Sequence, residues 1–198
     1  KPFWEGRSIF EEWVAQIPED VRNLKDNGAI FIDRKFVRGW GEVTAGYTDV
    51  INEGILSICR RIKEKMAVLD TTIPGDYEKE IYYKALLATA EGVIALAERY
   101  SAEAARLAAT EEDAERRAEL LEISRICAKV PAYPADSFYE AVQSAYLYHI
   151  VIVMEQNAAS YNMGRMDQYL YPFYNADLEA GRITEEKAQE LLDCLWVK

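Results

Sequence analysis

Polar and apolar positions along this chain fall into blocks that read as helix over most of its length. From Asp76 to Val130 the residues are rich in Ala, Leu, Glu and Arg, the strongest helix formers, and contain no proline. A helical hairpin is expected, with helices over 78–109 and 111–129. The break is placed at "TEED", where Thr110 stands as a cap before three acidic residues that the field of a helix N-terminus favours. "PAYPAD" (131–136) ends the hairpin, because two prolines remove backbone donors and bias the residues before them away from helix.

A further helix is expected to start at Asp136 or Ser137 and run through "FYEAVQSAYLYHIVIVMEQ". Its apolar residues go nearly all round toward the C-terminal end, as in a helix enclosed by a larger body. "AGRITEEKAQELLDCLW" reads as a short turn, a Thr184 cap and an amphipathic helix. Near the other end, "WEGRSIFEEWVAQIPEDVRNL" reads as helix and "GAIFIDRKFVRGWGEV" as a loop with room for a short strand. The expected fold class is mainly α.

Composition narrows the function. With 198 residues, half of them apolar, the chain can bury one core of ordinary size. The formal charge of −11, without a basic run, disfavours nucleic acid as a partner. The apolar stretch "AYLYHIVIVM" is about half the length of a spanning helix and contains His149, so no membrane span is expected. The N-terminal "KPFWEGRSIFEEW" lacks an apolar signal region, and the expected location is the cytoplasm. Cys59, Cys127 and Cys194 lie far apart among apolar neighbours, which argues against a disulfide framework or a metal site and for buried, inert thiols. His149, inside the apolar helix, is expected to be a core histidine with a hydrogen-bond partner and no catalytic role.

Candidate chemistry concentrates in "NAASYNMGRMDQYLYPFY" (157–174). Small residues leave the apolar helix, and Gly164 can take a positive φ or allow a close backbone approach. Arg165 and Asp167 can satisfy each other's charge, and the tyrosines offer apolar bodies with polar tips. This composition suits the floor of a pocket for a small polar molecule, or a helix junction pinned by an ion pair.

The run "GRMDQYLYPFYNADLEAGRITEEKAQELLDCLWVK" resembles the Gly-Arg-x-Asp-Gln-Tyr-x-Tyr-Pro motif of the glycyl radical enzymes, the pyruvate formate-lyase-like family, with Gly164, Arg165, Asp167, Gln168 and Tyr169 in the motif positions. "GYTDVINEGI", "ALLATAEGVIALAERYSAEA" and "LLEISRICAKVPAYPADSFYEAVQSAYLYH" are similar to the same family in the same order, so the resemblance spans nearly the whole chain. It implies a partial domain of that type, divided as N-terminal helices and loop (1–75), helical hairpin (76–130), and buried helix, motif and final helix (131–198). In the family such helices wrap and wall a ten-stranded α/β barrel that encloses a thiyl cysteine loop and a glycyl radical loop.

Neither loop pattern occurs in these 198 residues. No cysteine has the family's Gly-Cys-x-Glu setting, and "EVTAGYT" lacks the arginine of the radical loop, so Gly46 is expected to serve a turn. The chain is therefore expected to hold no cofactor and to be inactive alone. The resemblance implies a complete enzyme that cleaves a C–O, C–N, C–S or C–C bond of a small polar substrate as a lyase or dehydratase. A formate C-acetyltransferase is the runner-up, and a truncated helical binding or scaffold module is the reading from another class. Implied partners are an S-adenosylmethionine-dependent, iron–sulfur activating enzyme and a second copy in a homodimer.

In the diol-dehydrating members two histidines hold substrate hydroxyls. By resemblance their positions are Glu42 and Ala159 here, with Ser160 retained, which disfavours a glycerol or propanediol substrate. Arg38, four residues from Glu42, carries a fork of donors suited to an anionic head group. Arg38, Glu42, Ser160 and Asn162 are the expected substrate contacts.

Overall fold

The computed structural model describes residues 9–30, 43–156 and 160–197. Arg38 and Glu42 lie outside the described residues, as does most of the expected loop that carries them. Among the described residues the chain is helical with no strand: α1 (Ile9–Gln16), α2 (Glu19–Asp26), α3 (Tyr47–Glu53), α4 (Ile55–Met66), α5 (Pro74–Ala108), α6 (Ala114–Lys129), α7 (Phe138–Gln156), α8 (Met166–Glu179) and α9 (Glu185–Val197). An isolated parallel bridge joins Thr44 and Asn162. No helix among the described residues is long and apolar enough to cross a membrane.

The chain divides into two units, residues 1–44 with 152–162, and residues 45–151 with 163–198. The first contains α1, α2, the last turn of α7 and the Thr44–Asn162 bridge. The second contains α3 to α9 apart from that turn, and it holds the main core.

The hairpin forms as α5 and α6, with boundaries set by different groups from those expected. Pro74 opens α5 at a position where its missing N–H has no intrahelical use, so the helix starts four residues earlier than 78. Thr110 does not cap α6; its hydroxyl donates to the Leu107 carbonyl at 3.3 Å. Asp113 takes the role instead, accepting from the Arg116 amide at 2.7 Å, because a cap must sit two or three residues before the amide it satisfies. Ser101 ties the two helices by donating to the Ser124 carbonyl at 2.7 Å.

The "PAYPAD" segment supplies carbonyls to the start of α4. The Ile55 and Leu56 amides donate to Pro131 and Ala132 at 2.9 and 3.0 Å, and the Ala135 amide returns a bond to Ile51 at 2.9 Å. Gly54 permits this docking: its φ is +75°, and a Cβ there would lie 2.6 Å from the Ala132 carbonyl oxygen and the Tyr133 carbonyl carbon.

Two buried carboxylates join α7 to its neighbours. Asp177 of α8 accepts from the Phe138 amide at 2.7 Å, capping α7, and from the Arg182 guanidinium at 2.8 Å. Glu140 receives Arg125, Lys129 and the Asp136 amide at 2.9, 2.5 and 2.8 Å. Burial raises the Glu140 pKa, but these donors outweigh it and hold the carboxyl below its ordinary value.

Around these ties Tyr47, Ile51, Ile126, Val130, Phe138 and Leu170 form the core of the second unit. Each fully buried large side chain contributes about 2 kcal/mol. The Thr184 cap forms as expected, accepting from the Lys187 amide at 3.2 Å. Cys59 and Cys127 are buried, and burial pushes the Cys127 thiol up to about 11. Cys194 is exposed, contrary to expectation, because the inner face of α9 runs through Ala188, Leu191 and Leu195 and the cysteine falls beyond its edge.

Candidate functional site

The expected substrate contacts that are described lie on the short segment after α7, in the first unit. Ser160 is exposed and adopts a φ of +64°, left-handed for a residue with a side chain, which costs about 1 kcal/mol or more. Two residues later the Asn162 amide oxygen accepts from the Thr44 hydroxyl at 2.5 Å, beside the parallel backbone bridge between the same residues. Thr44 was not among the expected site residues. Its position, two residues after Glu42, was the only signal available.

The motif residues begin in the second unit. Gly164 takes the positive φ expected of it, +66°, and Arg165 precedes α8 as its cap residue. Arg165 forms a two-pronged pair with Asp167, Nε to Oδ1 at 2.9 Å and Nη2 to Oδ2 at 2.6 Å. The pairing was legible, and both side chains are exposed. Hydrogen bonds from Arg165 hold the Asp167 carboxyl below its ordinary value. Asp167 also stands in the first turn of α8, where the helix dipole favours a negative charge. Gln168 is exposed, its amide bonded to the Arg165 carbonyl at 2.9 Å.

Tyr169 ties the motif to the core. Its hydroxyl donates to the Met163 carbonyl at 2.8 Å and fixes the bend before α8. Its ring stacks on Tyr47 with centroids 5.9 Å apart and planes 15° from parallel. Burial pushes the Tyr169 hydroxyl pKa well above its ordinary range. Tyr171 is exposed, whereas Tyr174 packs edge-on against Phe138 at 5.6 Å.

His149 has the hydrogen-bond partner expected of it. It is half-buried, its Nδ1 is 2.7 Å from the Tyr47 hydroxyl, and burial holds its pKa below the ordinary value. Among the described residues no group of three His, Cys, Asp or Glu side chains could hold a metal ion. Gly46 precedes α3 as its cap residue, and α3 ends at Gly54, as the "GYTDVINEGI" motif implied.

The family model described as pyruvate formate lyase-like matches residues 1–198. The chain belongs to the pyruvate formate lyase-like family. Isethionate sulfite-lyase of Nitratidesulfovibrio vulgaris is 37% identical over 99% of this family member, and trans-4-hydroxy-L-proline dehydratase of Clostridioides difficile is 31% identical over all of it. The chain spans about a quarter of the length of these curated relatives, 25% of each. A solved structure concerning 1,2-propanediol dehydration in Roseburia inulinivorans superposes with a TM-score of 0.85 at 34% identity, covering 99% of this pyruvate formate lyase-like chain and 23% of its own.

Proposed function

We propose that this chain supplies part of the substrate-contacting wall of a glycyl radical lyase, with Arg38, Glu42, Ser160 and Asn162 facing a small polar substrate. The observation that carries the reading is the Thr44–Asn162 bridge. Two residues of extended chain span at most about 7 Å, so covalent reach alone keeps Glu42 near Thr44 and Ser160 near Asn162. Glu42 and Ser160 each stand two residues from the bridge, whereas Arg38 stands six residues before Thr44, outside the described residues. The left-handed Ser160 adds support, since such strain persists where the surroundings require a particular presentation.

The substrate class follows from the side chains. Arg38 offers a planar fork of donors for a carboxylate or sulfonate, and Glu42 accepts from a hydroxyl or pairs with an ammonium group. Four isethionate sulfite-lyases are 34–37% identical to this chain, which makes C–S cleavage of a small sulfonate the first reaction to test. In the complete enzyme a glycyl radical would supply hydrogen-atom abstraction. The cysteine and glycine that carry this chemistry match no position in these 198 residues, so the chain's own task is to bind and orient. The complete enzyme is read as cytoplasmic, dimeric, seated on a ten-stranded barrel and activated by an S-adenosylmethionine-dependent iron–sulfur partner.

The scaffold-module reading would have "LLDCLW" buried against its own helices. Leu191 is buried, but Trp196 is 73% exposed. The test of the leading reading is Glu42→Gln in the complete enzyme. Turnover of isethionate is expected to fall at least tenfold (about 1.4 kcal/mol) while the electron-spin signal of the installed radical is unchanged. Unaltered kinetics would remove Glu42 from the site.

A further inference from the structure

The chain's single histidine meets Tyr47, which in turn meets two further tyrosines, all within the second unit. Tyr47 is almost fully buried, its hydroxyl lies 2.7 Å from His149 Nδ1, and its ring stacks on Tyr169 and meets the edge of Tyr148 at 5.5 Å. Tyr169 in turn holds the Met163 carbonyl. This knot of side chains lies close in sequence to the segments with candidate substrate contacts. Tyr47 opens α3 three residues after Thr44, His149 lies two turns before α7 ends, and Met163 directly follows Asn162.

We propose that Tyr47, His149 and Tyr169 are positioning residues for the substrate-contacting segments, acting through the backbone of 43–46 and 160–164. The proposal deepens the functional reading above and rests on it. Packing alone does not account for the arrangement: a phenylalanine would fill the core at 47 equally well, whereas the hydroxyl fixes the start of α3 to one point on α7. Either partner can donate. With the imidazole proton on Nε2 the tyrosine hydroxyl donates to Nδ1, and with it on Nδ1 the hydroxyl accepts. Burial favours the neutral ring, so one of these two bonds is present at neutral pH.

The experiment is amide hydrogen exchange on the complete enzyme for Tyr47→Phe, His149→Leu and His149→Asn. Asparagine sets an amide near the Nδ1 position that can accept or donate. The expected result is exchange about three- to tenfold faster at 43–46 and 160–164 in Y47F and H149L, unchanged rates in α5 and α6, and restoration by H149N. Unchanged rates at both segments overturn the proposal. A uniform rise through all helices also overturns it, by showing only a contribution to global stability, and so does failure of H149N to restore the rates. In the complete enzyme, a local rise in exchange with isethionate turnover unaffected contradicts the functional reading of the segments. Absence of the local rise contradicts the positioning role instead.

Discussion

Gly54 shows how much one residue decides. Its φ of +75° is a conformation side chains rarely adopt, and a Cβ would press into the backbone of Ala132 and Tyr133, which cannot swing aside as a side-chain tip can. Gly54→Ala is therefore expected to destabilise the 198-residue chain by about 3 kcal/mol, read as a lower urea midpoint with unchanged slope. The glycine was legible as the end of a helix in "GYTDVINEGI", but its contact was not, because the partner lies nearly eighty residues away. The same asymmetry holds at the motif. The mutual pairing of Arg165 and Asp167 follows from their spacing, whereas their exposure depends on what surrounds them in three dimensions. Tyr169 could be read as an amphipathic ring, yet its stacking on Tyr47 joins positions more than a hundred residues apart.

At the scale of elements, the existence of α5, α6, α7 and α9 was readable because helix-forming composition, prolines and the Thr184 cap are local signals. Boundaries were less so. Thr110 and Asp113 are both competent caps, and only the realised turn chooses between them. The buried carboxylates were missed altogether. Glu140 reads as an ordinary helix residue until Arg125 and Lys129 of α6 are seen to converge on it, and Asp177 looks solvent-facing until α7 is seen to begin on it.

This gives the junction of α6 and α7 a pH dependence. The folded pKa of Glu140 lies below its ordinary value of 4.5, so its contribution to stability is full above that value and is lost as pH falls through the folded pKa. Glu140→Gln is expected to be less stable than the wild-type chain at pH 7, with the gap narrowing below pH 4.5. Thermal melts between pH 3 and 7 measure it, and a gap that stays constant across the range would remove Glu140 as the source.

At the scale of the whole molecule, membership of the pyruvate formate lyase-like family was legible because its motif residues are contiguous in sequence. The expected contacts divide differently. Ser160 and Asn162 are described and Asn162 is tied to Thr44, while Arg38 and Glu42 lie outside the described residues. In the proposed function this region faces the substrate in the complete enzyme. The most direct measurement is a substrate-bound structure of that enzyme. Polar side-chain atoms of Arg38, Glu42, Ser160 and Asn162 within about 3 Å of the bound molecule are the predicted result. A substrate held elsewhere, with the Thr44–Asn162 bridge on the outer surface, would contradict it.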